Sequence, residues 1–84
     1  MVVGRVERDP SFERAFSKIR DGASKEKVIK QIMKIINDPE IGKPMMYARK
    51  GTREVYVPPF RLSYAYVAEE RKAVFLAIYH KDEQ

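Results

Sequence analysis

The chain predicts an α+β domain: a short N-terminal strand, then an antiparallel two-helix hairpin packed on one face of a mostly antiparallel, three- to four-stranded C-terminal sheet. Three observations predict it. Apolar residues recur at helical spacing from Phe12 to Ile36, the period changes to two beyond Pro39, and glycines and prolines punctuate the joins. Eighty-four residues allow one domain, spanning 1–84, with a single modest core.

Val2, Val3 and Val6 make the apolar start of the first strand. Asp9-Pro10 begins a helix, with aspartate as N-cap and proline at the first helical position. Phe12, Ala15, Phe16 and Ile19 then share a face, and Gly22 is the expected stop because it tolerates the left-handed conformation of a helix C-terminus. Ser24 is the expected cap of the second helix, which carries Val28, Ile29, Ile32, Met33, Ile35 and Ile36 on a wide apolar stripe and Lys25, Lys27, Lys30 and Lys34 on the other side. Asn37-Asp38-Pro39 ends it, since proline disfavours helical geometry in the residue before it. The tight link predicts an antiparallel pair.

Met45 to Arg49, Arg53 to Val57, Phe60 to Ala68 and Ala73 to His80 read as strands, with Lys50-Gly51-Thr52 as a turn and Pro58-Pro59 interrupting the ladder. The last two form a hairpin around Glu69 to Lys72. Whether its loop holds two residues or four, the register places Arg61 directly across from His80, on a shared face. Leu62, Tyr64, Tyr66, Phe75, Ala77 and Tyr79 then face the helices. Val67, Val74, Leu76 and Ile78 form a second apolar face that calls for a covering protein partner.

Lysine and arginine number 17 against 12 acids, a net charge of +5. From Lys43 to Arg61 stand Lys43, Arg49, Lys50, Arg53 and Arg61 with one acid, Glu54, a segment suited to a polyanion such as RNA. Cysteine is absent, which excludes disulfides and thiolate chemistry. No metal-ligand spacing or glycine-rich phosphate loop occurs, so no metal and no cofactor is expected. No apolar run approaches the ~18 residues of a membrane span, and a soluble cytoplasmic protein is the default expectation.

Metal-independent RNA cleavage needs a base for the 2′-hydroxyl proton, a cation on the phosphorane and an acid for the leaving oxygen. Arg61 suits the cation because its planar fork matches two phosphate oxygens. His80 suits the acid because histidine exchanges protons near neutral pH. Arg61 paired with Glu54 or Glu83, and His80 as an ordinary strand end, are the structural alternatives.

These features resemble the RelE/ParE superfamily of toxins from toxin–antitoxin modules. The resemblance spans nearly the whole chain and is most specific in Phe60-Arg61-Leu62-Ser63-Tyr64, which looks like the family's aromatic-Arg-Leu-x-Tyr strand, followed by Tyr79-His80-Lys81 at its C-terminal His/Arg element. It implies Arg61 on the scissile phosphate and His80 on the leaving group; Lys43, Arg49, Lys50, Arg53 and Lys81 are the candidate RNA contacts by their charge. It further implies messenger RNA cleaved on the ribosome as the reaction and a cognate antitoxin as partner. A gyrase-inhibiting toxin of the ParE branch and a catalytically silent module of the same fold are the alternatives. The base stays unassigned: Met45 stands where some relatives carry a glutamate, and Glu54 and Tyr56 stand where others carry lysines.

Overall fold

A computed structural model describes residues 2–45 and 51–80. Within them the order is β1 (Arg5–Arg8), α1 (Pro10–Lys18), α2 (Gly22–Asn37), β2 (Lys43–Pro44), β3 (Thr52–Val57), β4 (Phe60–Val67), a 3₁₀ turn (Ala68–Glu70) and β5 (Lys72–His80). The expected strand from Met45 to Arg49 falls largely on residues 46–50, outside the described residues.

Asp9 caps α1 as its sequence predicts: its carboxylate accepts the Ser11 amide at 2.9 Å, which holds its pKa below the usual aspartate value, and Pro10 opens the helix. The join to α2 differs from expectation. The first helix stops at Lys18, where Ile19 turns extended, and Gly22 begins α2 rather than ending α1. Asp21, not Ser24, is the second cap. Its charged carboxylate accepts the Ala23 amide at 3.1 Å and the Ser24 hydroxyl at 2.9 Å, so the serine becomes a donor to the cap.

The strands form one five-stranded sheet in the order β1-β5-β4-β3-β2. β1 runs parallel to β5, the residual pairs are antiparallel, and Pro58 and Pro59 make the two-residue turn between β3 and β4. The helices cover one face. Phe12 and Ile19 from the first helical segment and Val28 and Ile35 from α2 meet Val57, Leu62, Tyr64, Phe75 and Ile78 from the sheet. Among the described residues no helix is long and apolar enough to cross a membrane.

The β4–β5 register corrects the sequence reading. Arg61 lies across from Tyr79, and His80 across from Phe60. The turn occupies Ala68 to Arg71, one residue earlier than expected on each side, which leaves the faces unchanged. A bulge at Ser63/Tyr64, opposite Leu76, then adds one residue on β5 and reverses its alternation toward the C-terminus. Ile78 therefore enters the core at 7% exposure, while Ala77 and Tyr79 turn to the outer face. The second apolar face is correspondingly smaller than the sequence suggests.

Candidate functional site

Two side chains first fix the loop that leads to the site. Tyr64 is fully buried; its hydroxyl donates to the Pro39 carbonyl at 2.8 Å and accepts the Gly42 amide at 3.0 Å. Burial, the largest influence, raises the Tyr64 pKa above that of an ordinary tyrosine. Arg53 lies on the same face, and its Nη1 donates to the Glu40 and Gly42 carbonyls at 3.0 and 2.8 Å. Gly42 has no room for a side chain: a Cβ there would meet the Tyr64 hydroxyl at 2.8 Å. The loop is thus clamped, and it delivers Lys43 onto the sheet across from Glu54.

On the face away from the helices, pairing gathers Lys43, Glu54, Tyr56, Arg61, Ser63 and Tyr79. The centre of this group is Glu54. Its Oε1 accepts from Arg61 Nη1 at 2.7 Å, and its Oε2 accepts from the Tyr79 hydroxyl. Partial burial, then the bond to Glu54 and its negative charge, push the Tyr79 pKa up to about 12, against a smaller opposing effect of Arg61. The Arg61 guanidinium also lies 5.6 Å from the Tyr56 ring centre, a cation–π contact. Its Nε is buried and has no acceptor among the described residues. A buried donor with no partner is costly to a protein.

Lys43, Glu54, Tyr56 and Arg61 line an open pocket of about 440 Å³, with Gln31 and Ile41 at its border. A lysine and an arginine thus flank a carboxylate, and an aromatic ring forms a wall. The arrangement suits an anionic substrate carrying a proton to be removed.

The predicted site residues are therefore only partly brought together. Arg61 and Lys43 share the pocket. Arg53 lies on the helix side, where it staples the loop. His80 is also on the helix side, edge-on to Phe60 with ring centres 6.0 Å apart. Arg49, Lys50 and Lys81 lie outside the described residues. Glu54 and Tyr79 complete the constellation, roles that sequence reasoning did not give them. The alternation of Glu54 with Tyr56 on β3 was the available signal, since it places both beside Arg61 once β3 and β4 are paired.

Tyr79 gives a pH-dependent mark of this cluster. Its folded pKa exceeds that of the unfolded chain, so its stabilising contribution is intact below pH ~10 and is lost as pH rises through about 12. In a spectrophotometric titration at 295 nm, the phenolate absorbance that Tyr79→Phe removes is expected to develop near pH 12 rather than with ordinary tyrosines near pH ~10.

The class of fold is settled by the sheet order and the helix pair: it is that of the RelE toxins. No family model matches the chain, and no curated protein matches it by sequence. Solved structures do. The isolated RelE toxin of Escherichia coli superposes with a TM-score of 0.80 at 12% identity, covering 95% of this chain and 86% of that one. The chain is also similar to the RelBE2 toxin–antitoxin complex of Mycobacterium tuberculosis (TM-score 0.75, 22% identity, 92% and 96% covered). The archaeal RelE–RelB complex of Pyrococcus horikoshii matches at TM-score 0.76 and 10% identity, with 99% and 100% covered.

Proposed function

We propose that this chain is the toxin of a type II toxin–antitoxin module and acts as a metal-independent endoribonuclease on ribosome-bound messenger RNA. The RelE fold supports the toxin assignment, and the Arg61–Glu54–Tyr79 cluster supports the chemistry. One observation carries the reading: a partly buried arginine with an unsatisfied Nε stands 2.7 Å from a carboxylate, in an open pocket that Lys43 also lines.

In this reading Arg61 binds the non-bridging oxygens of the scissile phosphate and stabilises the charge that builds there. Glu54 accepts the 2′-hydroxyl proton. A carboxylate has about four lone-pair sites, so it retains acceptor capacity beyond the bonds it already makes. Tyr79, held protonated, donates to Glu54 and fixes its orientation; it is a positioning residue. Lys43 attracts the adjoining phosphate. His80, turned toward Phe60, is not placed to protonate a leaving group held at Arg61; as the P–O5′ bond breaks, the departing 5′-oxygen takes its proton from solvent water, which leaves a 5′-hydroxyl and a 2′,3′-cyclic phosphate.

Glu54→Gln is nearly isosteric but removes the proton acceptor. It is expected to lower cleavage of translated mRNA about a hundredfold or more, while an RNA oligonucleotide still binds. Undiminished cleavage by this variant would exclude Glu54 as the base.

The partner that fits the module is a cognate antitoxin. Val6, Ile29 and Met33 are 44%, 48% and 54% exposed around a groove of about 440 Å³ floored by Phe12, Phe16 and Phe75. An amphipathic antitoxin segment would cover it. A small reading frame next to this gene, whose product co-purifies with the chain, is the expected observation.

A further inference from the structure

A second cleft lies at the end of the sheet, on the opposite face from the Arg61 pocket. It measures about 430 Å³ and is bounded by Lys18, Arg20, Phe60, Tyr79 and His80. The extended turn at Ile19 that separates the helices is what sets Lys18 and Arg20 beside the C-terminal end of β5. Neither cation makes an ion pair among the described residues, although Asp21 also borders the cleft. That aspartate is committed to capping α2 through the Ala23 amide and the Ser24 hydroxyl. Phe60 and His80, paired across the hairpin and set edge to face, provide an aromatic wall.

Two unpaired cations beside an aromatic wall form the combination that binds a nucleotide without reading its sequence: charge for the phosphate, a ring surface for the base. The cleft also joins the first site. Tyr79 borders it while donating to Glu54, so one residue touches both. We infer that this cleft is a nucleotide subsite for single-stranded RNA, holding a nucleotide that flanks the one whose phosphate sits at Arg61. Lys18 and Arg20 hold its phosphate, and Phe60 and His80 pack against its base. The inference rests on the ribonuclease reading and extends it: the strand passes around the end of β5 and engages both faces of the sheet. It also gives His80 a role consistent with its position.

The test is fluorescence anisotropy with a fluorescein-labelled single-stranded RNA pentamer at low salt, using the full chain. The Lys18→Ala/Arg20→Ala double variant is expected to bind about tenfold more weakly than the native chain. A control, Lys30→Ala/Lys34→Ala, removes the same charge from the exposed side of α2 and should change binding less than about threefold. Phe60→Leu, with its fold checked by circular dichroism, should weaken binding, whereas His80→Phe should preserve it. Equal losses in the two double variants, or no loss in the first, would overturn the subsite. If Arg61→Ala leaves RNA binding and cleavage unchanged, the ribonuclease reading fails instead, and the two failures are told apart.

Discussion

Arg61→Ala is expected to lower cleavage of ribosome-bound RNA by about a hundredfold to a thousandfold, the usual effect of removing one preorganised donor from a developing anion. The guanidinium is held on two sides, by Glu54 at 2.7 Å and against the Tyr56 ring, 5.6 Å from its centre. Its buried Nε has no acceptor among the described residues. Arg61→Lys keeps the charge but loses the planar fork, and should fall between the native chain and the alanine variant. The same series separates the competing functions. A gyrase inhibitor would leave translated mRNA intact and block supercoiling, and a silent module would do neither.

The second large effect concerns stability. Tyr64→Phe keeps the ring in the core but deletes the hydroxyl that serves both Pro39 and Gly42. Two buried backbone groups lose their partner, at a cost of about 2–4 kcal/mol. A domain of this size has roughly 5–15 kcal/mol in hand, so the urea midpoint should drop sharply. Because the clamped loop presents Lys43, RNA binding should weaken even where the variant remains folded. Gly42→Ala drives a Cβ against the same hydroxyl and should destabilise in the same direction. An unchanged urea midpoint in Tyr64→Phe would mean that the loop is held by other contacts.

Much of the fold was legible because local chemistry dictated it. Asp9-Pro10 reads as a helix entry, Asn37-Asp38-Pro39 as a helix end, and alternation from Phe60 to His80 as a hairpin, and the structure has all three. The sequence singled out Arg61 and Lys43 by their charge, and the structure brings them to one pocket, with Arg61 paired to Glu54, one of the two carboxylates the sequence offered it. The Arg61–His80 pair was not correctly read, and the cause is specific. Neither Gly nor Pro marks the bulge opposite Leu76, so a one-residue insertion reversed the facing of Ala77 through His80 without a sequence signal. The same reversal brought Tyr79 to Arg61 and hid it from a periodicity argument. Gly22 misled for a related reason: glycine suits a helix end, but the stronger acceptor one residue earlier, Asp21, made it a beginning.

Cleavage of RNA by its own 2′-hydroxyl at the Arg61–Glu54 pair is reported directly by the chemistry of the ends. Messenger RNA cut during translation with the purified chain should carry a 2′,3′-cyclic phosphate on the upstream fragment and a 5′-hydroxyl on the downstream one. Both ends should disappear with Arg61→Ala and Glu54→Gln. Ends bearing a 3′-hydroxyl and a 5′-phosphate, or intact mRNA in the presence of the native chain, would contradict it.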